Sequence, residues 1–230
     1  MNHPITPSLY HPITFIFAVC QKSSIDGRFQ FAILRFWKRC ALLQKLWRDF
    51  FGPSHTGWAL LLALLTAVLT RFYQLGDAPP GLYRDEAFNG LDALAVLEGQ
   101  HAIFFTANNG REPGYIYLTA VAISILGRTP LAVRISAAIV GSLTTLVIYG
   151  LGKSWFGRQT AVYAAWIWAI TLWPIHLSRI GFRTILLPII LGLVFWIGTE
   201  AYRRKSIRLW ALAGAVYGLA FYTYLAIRFT

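Results

Sequence analysis

Charge is scarce in this 230-residue chain, where Asp, Glu, Lys and Arg make up 13% of residues; a soluble domain carries about 25%. With 57% hydrophobic residues and a mean hydropathy of +0.54, that scarcity excludes an ordinary soluble domain and points to a membrane protein. Cysteine is nearly absent as well. Cys20 and Cys40 both precede the first long apolar stretch and have no closely spaced Cys or His, which excludes a disulfide scaffold and a structural zinc finger. There is no Gly-rich phosphate loop, no His-Glu-x-x-His helix and no Gly-x-Ser-x-Gly elbow. The net charge of +12, from 21 Lys and Arg against nine acids, would raise nucleic-acid binding in a soluble chain. Here the basic residues flank apolar stretches, so the expected partner is the lipid bilayer and no nucleic acid is expected.

What the sequence does have is long apolar runs. Stretches able to cross about 30 Å of hydrocarbon, which takes about 20 residues, occur at 57–75, 130–151, 160–177, 184–202 and 209–227. The apolar stretch 114–127 is shorter and suits a helix lying in the membrane interface. Basic residues resist translocation. Five spans with a cytoplasmic N-terminus keep 13 of the 21 Lys and Arg inside, among them the cluster Arg203, Arg204, Lys205 and Arg208. A sixth span at 114–127 would move that cluster outside. The expected fold is therefore an all-α, polytopic transmembrane helical bundle with a long outer loop over 76–130 that contains interfacial helices. Within residues 1–56, Phe29, Ile33, Phe36, Cys40, Leu43 and Trp47 recur at three- and four-residue spacing with basic residues between them. This segment reads as a cytoplasmic, basic, amphipathic lead-in on the anionic leaflet, without chemistry of its own.

The acids are concentrated in one place. Asp77, Asp85, Glu86, Asp92, Glu98 and Glu112 all fall in the outer loop, whereas charges in the apolar runs (Arg71, Arg134, Glu200) lie near their ends. Transporters place polar groups near the midplane, so this distribution favours chemistry at the outer surface. A proline turn at Pro79-Pro80 leads into a helical pattern after Asp85. Asp85 then has two readings. It is an N-cap accepting from the Phe88 amide, with Glu86 complementing the helix dipole, or it is a base held at the boundary of water and lipid.

The ordered features Asp85-Glu86 after the first span, Glu112-Pro113 opening an apolar helix, AVRISAAIVGSLTTLVIYGLG, FGRQTAVYAAW and LSRIGFRTILLP resemble the polyprenyl-phosphate-dependent glycosyltransferases of the GT-C fold. The resemblance covers residues 57–230 and is strongest to the protein O-mannosyltransferase and aminoarabinose-transferase branch. It implies a membrane enzyme that moves a sugar, with inversion, from a polyprenyl-phosphate donor to an acceptor protein, lipid or glycan on the outer face. The implied location is the plasma (inner) membrane. Relatives are longer, so the resemblance also implies a chain that covers the N-terminal part of the family's architecture. The competing reading is a non-catalytic multi-span protein, a transporter or a transferase scaffold.

The resemblance places the catalytic base at Asp85 and an orienting acid at Glu86. It implies substrate contacts at Glu112, which stands where relatives carry His-Pro-Pro or Lys-Pro-Pro, and at Arg134. Arg179, Arg183 and Arg228 near outer span ends suit the lipid phosphate through the planar guanidinium fork, and Tyr224 beside Arg228 suits a sugar or acceptor cleft. Relatives often carry an acid soon after the Ser178-Arg179 pair, but residues 178–188 contain none. Metal-independent chemistry without a cofactor is the resulting expectation.

Overall fold

The computed structural model describes residues 55–224 together with Ala226 and Ile227. The amphipathic lead-in and Arg228 lie outside the described residues. The described chain is all helical apart from turns and one isolated antiparallel bridge, Phe105 to Arg111. The helices are α1 (Thr56–Phe72), α2 (Arg84–Leu97), α3 (Pro113–Leu126), α4 (Pro130–Phe156), α5 (Arg158–Ile170), α6 (Leu172–Arg179), α7 (Leu186–Arg204) and α8 (Ile207–Ala220). A 3-10 turn at Arg183–Ile185 leads into α7. The fold class is the expected one.

Small residues set the packing. Ala59, Ala63 and Ala67 repeat every fourth residue and form one buried stripe along α1; Ala161, Ala165 and Ala169 do the same on α5. Two methyl-lined faces let these helices approach closely, which is how helices associate where lipid removes the usual hydrophobic drive. Trp58, Leu61, Leu65 and Leu69 project from the other side of α1 and are exposed, as a lipid-facing surface requires. The central helix is α4, which packs against α1, α3, α5 and α7. A side chain at Gly141 would overlap the Ser178 hydroxyl, and one at Gly150 would overlap the Trp196 ring, so both glycines are set by close approach.

Two continuous helical segments, α4 and Arg183–Arg204, are long and apolar enough to cross a bilayer; α5 and α6 make a third if counted as one broken span. The expected span 160–177 is thus bent, by 53°. Pro174 explains it: in a continuous helix its ring would clash with the carbonyl of Ile170, and it has no N–H to give. The helices within 57–75 and 209–227 are shorter than those stretches, 17 residues in α1 and 14 in α8. Tyr73 leaves helical geometry after α1, and residues 221–223 turn after α8. α3 has 14 residues and forms no span-length helix, as its apolar length foretold.

The break in α5 and α6 frees the carbonyls at the end of α5, and Arg71 takes them. This fully buried arginine donates to Trp168 O at 3.2 Å, to Ala169 O at 3.4 Å and, through Nε, to Ser178 Oγ at 3.2 Å. Its charge sits against the negative end of the α5 dipole. In the outer loop, α2 and α3 share a core of Ala93, Val96, Phe105, Ile116, Ala120 and Ile123 that extends to Ala132 and Val133 at the start of α4. That core fixes the loop against the bundle.

Candidate active site

The site begins where α2 begins. Tyr83 is the N-cap, in extended geometry, and Arg84 is the first helical residue. The Tyr83 N–H donates to Glu86 Oε2 at 2.7 Å, the return half of a capping box. The carboxylate that caps this helix start is thus that of Glu86, and Asp85 is the second helical residue. The sequence reading of Asp85 as N-cap is corrected: the N-cap lies two residues earlier, at Tyr83. Released from the cap, half-buried Asp85 accepts from Asn108 Nδ2 through Oδ1 at 2.6 Å.

Asn108 comes from a tight hairpin. Phe105 N–H donates to Arg111 O at 3.0 Å and Arg111 N–H to Phe105 O at 2.7 Å. Asn108, Asn109 and Gly110 between them all have positive φ, at 49°, 69° and 81°. The turn points Arg111 inward, where only 2% of it is exposed. Its Nη1 donates to Asn89 Oδ1 at 2.6 Å, its Nη2 pairs with the Asp92 carboxylate, and the guanidinium lies 5.6 Å from the Phe88 ring centroid. Burial lowers the pKa of Arg111, opposed by Asp92 and Asp85 and reinforced by Arg183. Burial raises the Asp92 carboxyl, against the pull of Arg111.

Asp85, Asn89, Asn108, Asn109, Arg111, Phe182 and Arg183 line one hollow of about 140 Å³. Arg183 enters from the 3-10 turn with its guanidinium 5.8 Å from the Tyr224 ring centroid. Its Nη1 lies 3.7 Å from Glu112 Oε2 and donates to Gly110 O at 3.5 Å. Glu112 is 5% exposed, stands at the N-cap of α3, and has no hydrogen bond at Oε2. Of the residues singled out in the sequence, Asp85 and Arg183 line the hollow, and Glu112 and Tyr224 stand beside it through their contacts with Arg183.

Three other candidates sit elsewhere. Glu86 and Arg134 are both fully buried and paired, Nε to Oε1 at 2.7 Å and Nη2 to Oε2 at 3.3 Å. The remaining Arg134 donors go to Leu75 O at 3.2 Å, Pro79 O at 2.9 Å and Gly81 O. All five N–H groups are occupied, so the expected substrate roles of Arg134 and Glu86 are corrected: the pair ties residues 75–81 to the start of α2 and presents no donor to a lipid phosphate. Arg179 is likewise committed, to Thr70 O, Arg71 O, Tyr73 O and Ala78 O at 3.2, 3.4, 2.7 and 2.8 Å, where it closes the end of α1. The sequence reading assigned Arg179 to a phosphate; the four contacts seen here are to backbone carbonyls.

Asn108 and Arg111 were not among the sequence candidates. The string Asn108-Asn109-Gly110 is a turn signal, and a turn there puts its flanking residues beside α2. Among the described residues, no group of three or more His, Cys, Asp or Glu is placed to hold a metal ion.

The family model for dolichyl-phosphate-mannose-protein mannosyltransferases matches residues 110–229. No curated protein and no solved structure matches the chain. The matched stretch starts inside the hairpin and takes in Arg111, Glu112, Arg183 and Tyr224, while Asp85 and Asn108 precede it. The match spans more than half the sequence and agrees with the helical, membrane-spanning build, so this chain belongs to the dolichyl-phosphate-mannose-protein mannosyltransferase family, glycosyltransferases of the GT-C type.

Proposed function

We propose that this protein transfers a sugar from a polyprenyl-phosphate donor to an acceptor hydroxyl on the outer face of the plasma membrane, with its N-terminus in the cytoplasm. The observation that carries the reading is the hollow itself, where one carboxylate, Asp85, faces two guanidinium groups, Arg111 and Arg183. Displacement at the anomeric carbon needs a base on the acceptor side and positive charge on the phosphate side. Asp85 takes the acceptor proton as the acceptor oxygen bonds to C1. The C1–O bond to phosphate breaks with inversion, and the polyprenyl phosphate leaves with the electron pair.

Arg183 is the better placed cation for that phosphate. Arg111 is held by Asn89 and Asp92, whereas Arg183 has a long contact to Glu112, one weak bond to Gly110 O and the Tyr224 ring beside it. Glu112 and Tyr224 then hold Arg183 in place, and the Glu86 and Arg134 pair keeps the start of α2 rigid. Residues 57–230 form the catalytic core in this reading, with the loop 76–130 as its outer face. The two guanidinium groups supply the charge a divalent ion would otherwise bring, so no metal or cofactor is assigned. The acceptor is a hydroxyl of a protein, a lipid or a glycan.

The test is release of polyprenyl phosphate from a mannosyl donor by the protein in liposomes, with and without candidate acceptors. Acceptor-dependent release that disappears in Asp85→Asn supports the reading; a protein that only moves the lipid between leaflets, without breaking the C1–O bond, would support a transporter instead.

A further inference from the structure

We propose that Asn108 is the positioning residue of Asp85, and that the left-handed turn at residues 108–110 serves to deliver its amide. The inference rests on the reading of Asp85 as the base. Three successive residues with positive φ are costly for side chains other than glycine, and asparagine is among the few that tolerate that region. A turn needs only the backbone shape, which glycine supplies at no steric cost. Asparagine at 108 adds a side chain, and that side chain reaches Asp85, 23 residues earlier, at 2.6 Å. Among the described residues it is the one side-chain hydrogen bond Asp85 makes.

The bond selects an atom. With Oδ1 held by the amide, Oδ2 is the oxygen free to take the acceptor proton; as Oδ2–H forms, the acceptor O–H breaks and its electron pair goes to C1. The charged groups around Asp85 are Arg84 and Glu86 on its own helix, Arg111 from the hairpin and Arg183 across the hollow. None of these changes when Asn108 is replaced.

Asn108→Gly separates the side chain from the backbone, since glycine keeps the left-handed turn and removes only the amide. The expected result is an unchanged melting temperature, a donor KM within about twofold of wild type and a kcat lower by about 10- to 100-fold. A kcat equal to wild type overturns the proposal. A separate readout guards against failure of the transferase reading: the rate of carbodiimide modification of Asp85 at one fixed pH, followed by peptide mass spectrometry. If wild type transfers no sugar, that reading fails, and the labelling decides the present one. Faster modification of Asp85 in Asn108→Gly than in wild type supports it, and equal rates overturn it.

Discussion

Glu86 and Arg134, 48 residues apart, meet in a two-pronged ion pair in which neither side chain has exposed surface. The pair anchors the strand of chain before α2 and so sets where Asp85 stands, although neither residue lines the hollow.

Removing one partner of a buried pair leaves the other charge unpaired. Glu86→Gln and Arg134→Met should each destabilise the protein by about 3–5 kcal/mol, read as a lowered melting temperature in detergent. Arg134→Lys keeps the charge and loses the fork, and should fall between these and wild type. If Arg134 instead bound donor phosphate, the lysine variant would keep its melting temperature and raise donor KM.

Arg183 carries the opposite expectation. Arg183→Ala should raise donor KM or Kd at least tenfold, with a melting temperature near wild type, because the side chain is partly exposed and its protein contacts are long. Arg183→Lys should recover part of that affinity. Donor titration by initial rate or by fluorescence of a labelled lipid checks both, and an unchanged KM in Arg183→Ala would remove Arg183 from the phosphate.

The bend after α5 depends on Pro174 and on Arg71. Arg71→Leu leaves the carbonyls of Trp168 and Ala169 and the Ser178 hydroxyl without their donor, and should cost about 1–3 kcal/mol for each buried acceptor left unpaired. Thermal unfolding in detergent measures it. A melting temperature within one degree of wild type would show that the break needs no cation.

Topology is accessible through thiols. With Cys20 and Cys40 changed to serine, Asn109→Cys should react with an impermeant maleimide applied from outside, and Arg208→Cys should not. The basis is the basic cluster at 203–208, which resists translocation. Outside labelling of Arg208→Cys would place α8 and the loop before it on the opposite side.

The helical membrane build was legible because apolar runs of span length have few alternatives, but the break at Pro174 inside one of them went unread. Asp85 was legible as an acid at a helix start, but the helix begins two residues earlier than that reading had it. Whether Asp85 or Glu86 caps α2 depends on which side chain folds back to Tyr83, and Arg134 settles that from 48 residues away. Arg134 itself reads the same in sequence whether it faces headgroups or a buried carboxylate. Asn108 and Arg111 take their meaning from a hairpin that lays residues 105–111 beside α2, a contact with no local signature beyond the turn residues.

The most direct test of the account is the single-turnover rate of Asp85→Asn with saturating polyprenyl-phosphate mannose and acceptor. The amide keeps the size of the side chain but cannot take a proton. The account expects a rate lower by about 100- to 10,000-fold with donor affinity unchanged. A rate within a few-fold of wild type would contradict it and leave Asp85 a structural residue.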